Sequence, residues 1–307
     1  MQLSHAGQGG IIDIHTHMFP PDVIRNQEKY CRLDTYFGVL ADPKCTIQRY
    51  ATCEEAVALA DEAGVEKIVM QGWYWRDHGL CRYHNDYMHD LISRHPERFI
   101  AFASVNPRAG WRAIWEMERC YEMGFAGVGE MGPGGQGWDL NDKDFLNLME
   151  AAAKCNMLVN IHAGEPVGKI YPGKDPTPIQ GFYELARRLP DLKLILAHWG
   201  GGLPYFELWP EVRETMKNVY YDSAGSPLLY KMGVFKAVTG LVGAEKILFG
   251  SDFPLLVYPR KQREADFTLF IEDIKEQGGL KEDELTLIFR ENSLKLLNNA
   301  GKLNLNV

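Results

Sequence analysis

Ile11-Ile12-Asp13-Ile14-His15-Thr16-His17 is an apolar run near the N-terminus that ends in two histidines. Apolar, β-branched residues in a short run predict a buried strand. Successive side chains of a strand point to opposite faces, so His15 and His17 project from the same face and could bind one metal ion. A His-x-His pair also arises by chance, and packing would explain it unless distant residues supply further ligands.

Seven further short apolar runs follow this first one, and helical patterns alternate with them. The runs cover residues 67–73, 99–105, 127–131, 157–162, 193–198, 219–223 and 246–252. Parallel strands covered by helices are continuously apolar, and eight of them close a barrel. We therefore predict a single-domain (β/α)8 TIM barrel over residues 1–307, with an irregular insertion at 18–52 after the first strand. A doubly wound open sheet is the alternative, but no Gly-x-Gly-x-x-Gly follows the first strand.

Composition narrows the class of protein. The chain has 307 residues, 46% of them hydrophobic and 24% charged, as in an ordinary soluble globular protein, and its net charge of -8 argues against a nucleic-acid surface. No apolar stretch is long enough to cross a bilayer and no signal peptide begins the sequence, so a cytoplasmic protein is expected. The six cysteines are predicted to be reduced thiols because none forms a Cys-x-x-Cys pair: Cys31, Cys45, Cys53, Cys81, Cys120 and Cys155.

Polar residues stand at the carboxyl ends of several predicted strands. They are His15, His17, Glu130, His162, His198 and Asp252. Each alone has a structural explanation, such as a hydrogen-bonded histidine or a turn carboxylate. Together they would converge at the rim where barrel enzymes have their active sites, which favours a metal site. Imidazole and carboxylate ligands suit zinc, our first expectation, and also manganese, iron or cobalt.

Four motifs resemble those of the amidohydrolase superfamily, and within it the amidohydrolase-related group of metal-dependent hydrolases and of aminocarboxymuconate semialdehyde and γ-resorcylate decarboxylases. They are Asp13-Ile-His-Thr-His17, Asn160-Ile-His162, Ala197-His-Trp-Gly200 and Phe249-Gly-Ser-Asp-Phe-Pro254. The resemblance implies that His15, His17, His162 and Asp252 bind a divalent ion, with His198 as a catalytic group or a ligand of a second ion.

The segment Gly129-Glu130-Met131-Gly132 departs from the decarboxylases of this group. Those enzymes often have a Lys-x-His-Pro type sequence here, whereas TatD-like members have Gly-Glu-Ile-Gly with the glutamate at the metal site. The resemblance therefore makes Glu130 a further candidate ligand and leaves one ion or two open.

Hydrolysis of a small cyclic or aromatic ester, lactone or amide is the leading expectation for the reaction. A divalent ion lowers the pKa of bound water to roughly 7. Asp252 would then take the proton of that water, and His198 would polarise the carbonyl.

Two other functions stay open at this point. Non-oxidative decarboxylation of a small aromatic or unsaturated acid would need a cationic clamp, for which Arg108 is preferred over Arg76 and Arg260. Trp73, in an aromatic loop, is a candidate contact for a planar substrate. A barrel that binds a metal and a ligand without catalysis is the third possibility. A homo-oligomer is expected from the apolar exterior.

Overall fold

A computed structural model describes residues 9–41 and 47–303. Eight parallel strands form one sheet in chain order: β1 (Ile11–Thr16), β2 (Val65–Met70), β3 (Phe99–Ala103), β4 (Gly127–Met131), β5 (Leu158–Ile161), β6 (Leu194–Leu196), β7 (Val219–Asp222) and β8 (Ile247–Leu248). Between the first strand and the last, the amide of Ile14 donates to the Phe249 carbonyl (2.9 Å), and Thr16 pairs with Phe253. The prediction of a single-domain TIM barrel is confirmed.

Helices connect the strands and follow the last of them. They are α1 (Pro21–Arg25), α2 (Gln27–Leu33), α3 (Thr35–Ala41), α4 (Cys53–Ala63), α5 (His78–Arg94), α6 (Trp111–Glu122), α7 (Pro133–Gln136), α8 (Lys143–Lys154), α9 (Ile179–Arg188), α10 (Pro210–Thr215), α11 (Ser226–Leu229), α12 (Val234–Val242), α13 (Thr268–Gln277), α14 (Glu282–Thr286) and α15 (Asn292–Leu297). A π-helical turn, Leu287–Glu291, joins the last two. Local sequence explains α4 well: Thr52 and Glu55 form the capping box, and Gly64 ends the helix at φ 74°.

The insertion at 18–52 is helical over most of 21–41, which corrects the prediction for those residues, and it has no helix or strand at 18–20 and 47–52. It forms α1, α2 and α3, each of five to seven residues. Helices this short show little periodicity, and Pro21 opens the first of them instead of breaking it. Residues 42–46, including Cys45, lie outside the described part. Phe19, Tyr30 and Phe37 are buried here beneath the side of the barrel rim that carries β2.

The strands end where the chain turns into the rim, so several are shorter than the apolar runs predicted. After β6, residues His198 to Gly202 are all left-handed, with φ between 54° and 93°. Asp252, after β8, is also left-handed at φ 67°. Non-glycine residues adopt this conformation rarely, and it concentrates at functional sites.

Two other expectations from the sequence can be compared with the structure. Across the described residues, no helix has the length and apolarity that a membrane crossing requires. Cys53, Cys81 and Cys120 are buried thiols and Cys155 is a half-buried one, as predicted.

Candidate metal centre

One group of possible metal ligands comes from β1 and from the turn after β8. His15, His17 and Asp252 each offer a ligand atom within 4.8 Å of the others. The two Nε2 atoms of the histidines lie 3.3 Å apart, and Oδ1 of Asp252 is 3.6 Å from Nε2 of His17. All three residues are buried. The alternation of β1 therefore places the two histidines as predicted, and the left-handed turn brings in the carboxylate.

A second group comes from the ends of β4, β5 and β6. Glu130, His162 and His198 also offer ligand atoms within 4.8 Å of one another. Oε1 of Glu130 is 2.8 Å from Nδ1 of His162 and 3.3 Å from Nε2 of His198. The two imidazole nitrogens are 3.1 Å apart. Residues from three consecutive strands thus converge at the rim, as the barrel predicts.

The carboxylate of Glu130 lies between the two groups. Its Oε2 atom is 3.5 Å from Nε2 of His15 and 3.6 Å from Nε2 of His17, while Oε1 faces the second group. Burial opposes ionisation of Glu130, but the positive charges of His15 and His162 hold its pKa well below the usual range. Glu130 is therefore an ionised carboxylate with one oxygen toward each group.

The donor chemistry fits a divalent cation. Four imidazoles and two carboxylates converge in a largely buried space, and imidazole nitrogens of neighbouring histidines lie 3.3 and 3.1 Å apart. Burial, together with the charge of His15, lowers the pKa of His17 to about 4. Neutral imidazole and ionised carboxylate are the forms that bind transition metals. The structure thus brings together all six predicted ligand candidates.

Asp222, at the end of β7, is a functional residue that the sequence analysis missed. Its Oδ2 is 2.8 Å from Nδ1 of His15, and its Oδ1 accepts the amide of His198 at 3.1 Å. The side chain is fully buried. The available signal was its position, since Asp222 ends the seventh apolar run as the other candidates end theirs.

Aromatic residues form the side of the cluster next to β2. The rings of Trp73 and His17 meet edge to face with centroids 5.3 Å apart, and Trp73 stacks on Tyr74 at 4.7 Å. Tyr74 in turn lies 6.2 Å from the ring of His162. The indole N–H of Trp73 is buried and has no hydrogen-bond partner among the described residues. Trp73 therefore borders the cluster, and a substrate contact through it stays a prediction.

The arginines predicted as a carboxylate clamp lie elsewhere on the rim. Arg76 is exposed and donates to the Gly135 carbonyl and to Thr35. Arg108 is also exposed and donates to the Gly137 carbonyl. Within the described ranges, neither guanidinium contacts a residue of the cluster. A strand-end position in the sequence does not set the direction of a long side chain, and a substrate-binding role for either arginine stays a prediction.

The barrel and its rim cluster define a class, the metal-dependent enzymes built on eight parallel strands. The sequence profile of the family described as Amidohydrolase matches residues 12–298. The chain therefore belongs to the amidohydrolase family, and within that superfamily it falls in the aminocarboxymuconate semialdehyde decarboxylase-like group. The resemblance that the motifs indicated is confirmed.

Curated relatives support this assignment, and a solved structure supports the fold. A 2-amino-3-carboxymuconate-6-semialdehyde decarboxylase of Dictyostelium discoideum is 25% identical over 79% of this chain and 81% of its own length. A γ-resorcylate decarboxylase of Polaromonas sp. is 25% identical over 66% of this chain and 76% of its own. The crystal structure of 5-carboxyvanillate decarboxylase from Sphingomonas paucimobilis superposes with a TM-score of 0.69 at 17% identity, over 94% of this chain and 99% of that one.

These relatives correct the leading expectation for the reaction. The sequence analysis placed hydrolysis first, but the curated relatives that match this chain are decarboxylases by name. Both reactions use the same strand-end ligands, so the residues that reveal the metal site do not distinguish between the reactions. The prediction of hydrolysis is wrong, and the alternative of decarboxylation agrees better with the relatives.

Proposed function

We propose that this protein is a metal-dependent, non-oxidative decarboxylase of a small aromatic or unsaturated carboxylic acid. The observation that carries the proposal is the buried cluster at the barrel rim, found in a chain whose curated relatives are decarboxylases. A divalent ion held there would bind the substrate carboxylate and orient the carbon that carries it toward Asp252. Manganese is bound in the structure of a similar dihydroxybenzoic acid decarboxylase from Polaromonas sp.. Manganese, zinc, iron and cobalt all accept the nitrogen and oxygen donors present.

Asp252 is proposed as the acid that replaces carbon dioxide with a proton. Its carboxyl group gives a proton to the carbon that bears the substrate carboxylate. The carbon–carbon bond then breaks, its electron pair restores the unsaturated system, and carbon dioxide leaves. Water returns a proton to Asp252. In this scheme one proton is consumed per carbon dioxide released, and no oxidant or reductant is required.

Glu130 supports a centre with two ions. Its oxygens face different groups: Oε2 lies toward His15 and His17, and Oε1 lies toward His162 and His198. In this arrangement Glu130 would be shared by an ion held by His15, His17 and Asp252 and a second ion held by His162 and His198. With a single ion, Nε2 of His198 would instead be available to hold the substrate.

Metal counting decides between these arrangements. Elemental analysis of protein loaded with manganese and freed of excess metal should give two ions per chain. Two manganese ions sharing a carboxylate should also show a spin-coupled resonance signal. Glu130→Gln should reduce the count to one ion and restore the simple spectrum of an isolated ion. One uncoupled ion in the unaltered protein would contradict the two-ion arrangement.

A substrate screen tests the reaction itself. Manganese- and zinc-loaded protein is incubated with hydroxybenzoic acids and with unsaturated dicarboxylic acids, and carbon dioxide and proton uptake are measured together. We expect carbon dioxide release matched by proton consumption, lost in Asp252→Asn. Turnover of the panel without carbon dioxide, or no turnover by protein with its full metal content, would overturn the proposal.

We also propose that the chain forms a homo-oligomer. Tyr205 and Trp209, on the segment after β6, expose 63% and 62% of their surface, which is high for large aromatic residues. Light scattering of the purified protein measures the assembly directly, and a monomer at micromolar concentration would contradict it.

A further inference from the structure

Asp222 uses both oxygens to hold groups from both halves of the cluster. Oδ2 is 2.8 Å from Nδ1 of His15 and 3.3 Å from the Asn160 amide nitrogen. Oδ1 accepts the backbone amides of His198 and Ala224, each at 3.1 Å. A carboxylate has roughly four acceptor positions, so these donors fill it. Asp222 is fully buried and contributes no ligand atom to either group of candidate ligands.

The contact with His15 selects one form of its imidazole. An ionised carboxylate only accepts hydrogen bonds, so Nδ1 of His15 must carry the proton that points at Asp222. In the neutral imidazole that binds a metal, the lone pair is then on Nε2, the atom that faces His17, Glu130 and Asp252. Partners of this kind fix the tautomer and ring orientation of metal-bound histidines.

The contacts with His198 and Ala224 fix the other half of the cluster. His198 is left-handed at φ 54°, a conformation that needs support from its surroundings. Oδ1 of Asp222 accepts the amide of His198 and the amide of Ala224. The Ala224 carbonyl then accepts a hydrogen bond from Nδ1 of His198 at 2.8 Å. Nε2 of His198 therefore faces Glu130 and His162.

We propose that Asp222 is a positioning residue that sets the metal affinity of this centre by presenting Nε2 of both His15 and His198. The inference rests on the proposed metal-dependent function, but it is tested through metal binding and histidine tautomers. A protein that binds metal as described and fails to decarboxylate would therefore leave it standing.

Asp222→Asn is the informative substitution because it changes the hydrogen-bonding pattern at nearly constant shape. If the amide NH₂ faces His15, it forces the lone pair onto Nδ1 and the proton onto Nε2. If it faces the other way, it opposes the two backbone N–H groups of His198 and Ala224. Either orientation leaves one half of the cluster mispaired.

The first measurement is metal affinity by competition with a chromophoric chelator. Loss of such a partner weakens metal binding by about 10- to 100-fold in other proteins, and we expect a loss in this range for Asp222→Asn. Asp175→Asn is the matched control, since Asp175 is a buried carboxylate that accepts the amides of Gly134 and Gly135 without touching a candidate ligand ring. Unchanged affinity in Asp222→Asn, or an equal loss in Asp175→Asn, would overturn the proposal.

The second measurement needs no substitution at Asp222 and so does not depend on how the variant folds. Nitrogen-15 spectra of zinc-loaded protein distinguish metal-bound from protonated imidazole nitrogens, and His15→Gln identifies the signals of His15 among the nine histidines. We expect zinc on Nε2 and a proton on Nδ1 of His15. Zinc on Nδ1, or an unprotonated Nδ1, would contradict the role of Asp222.

Discussion

His15 and His17 leave the same face of β1, yet the regions that surround them differ. On the polar side, formed by β5, β7 and the turn after β8 that carries Asp252, the Asn160 amide donates to Asp222, and Asp222 fixes the ring of His15. On the aromatic side, which follows β2, the ring of His17 packs against Trp73, and its Nδ1 has no hydrogen-bond partner among the described residues. One histidine is held by a hydrogen bond, and the other by ring contact.

This difference suggests that the two sides have different functions. A hydrogen-bonded carboxylate fixes the tautomer and charge of a ligand, so the polar side should control metal affinity. Stacked rings give shape without charge, so the aromatic side should control which planar substrate fits. The predictions below each change a residue or the metal on one side and measure activity, stability or metal binding.

The largest effect is expected from Asp252→Asn, on the polar side. An amide cannot deliver the proton that replaces carbon dioxide, and general acid catalysis contributes roughly 10²- to 10⁴-fold. We expect kcat to fall by about that factor in a carbon dioxide release assay. Circular dichroism and elemental analysis establish that the variant is folded and contains metal. Activity within a few-fold of the unaltered protein would remove Asp252 from its proposed role.

His84→Gln tests a histidine on the aromatic side that is held entirely by the fold. Nδ1 of His84 accepts the indole N–H of Trp75 at 2.9 Å, and Nε2 donates to the Met18 carbonyl at 2.8 Å. Burial lowers the pKa of His84 to about 4 from 6.5. As the pH falls below 6.5, His84 becomes protonated in the unfolded chain but stays neutral in the folded chain until about pH 4. The free energy of unfolding therefore decreases by up to about 3 kcal/mol between these pH values.

In His84→Gln this part of the acid sensitivity should disappear. Its free energy of unfolding, from denaturant titrations at pH 7 and pH 4, should change by less than that of the unaltered protein. The cluster histidines are the same in both proteins, so their contributions to the pH dependence largely cancel in the difference. His95→Gln, the same substitution at a half-exposed position, is the control. Equal pH dependence in all three proteins would contradict the assignment.

Local sequence patterns predict the barrel and most of the candidate ligands, but they do not predict the contacts that surround those ligands on the two sides of the cluster. Alternation along β1 was enough to place His15 and His17 on one face, and strand ends located Glu130, His162 and Asp252. Asp222 has the same position on its strand, yet an aspartate before a turn is common, and only the distance to His15 distinguishes it. Arg108 is the opposite case, a residue that the sequence favours for the site but whose side chain lies elsewhere. Its guanidinium donates to the Gly137 carbonyl, a contact that depends on tertiary structure.

Metal removal should destabilise the fold, and the size of the effect should depend on the residues of the polar side that set metal affinity. Ions that bind only the folded state add about 2.7 kcal/mol when free metal exceeds the dissociation constant by about 100-fold. Treatment with a chelator should therefore lower the melting temperature by several degrees in differential scanning calorimetry. Asp222→Asn should show a smaller decrease, because it binds metal more weakly from the start. Trp73→Phe should show the full decrease, and a reduced one would mean that the two sides are coupled.

Trp73→Phe is the mildest change and tests the aromatic side alone. Phenylalanine retains a ring against His17 and Tyr74 but removes the buried indole N–H, which has no partner among the described residues. If that group donates to bound substrate, its loss costs about 1 kcal/mol. We therefore expect KM to rise by roughly 3- to 10-fold with kcat and metal content nearly unchanged. Arg108→Gln is measured in parallel, and a larger rise in KM there would assign the substrate carboxylate to Arg108 instead of to the aromatic side.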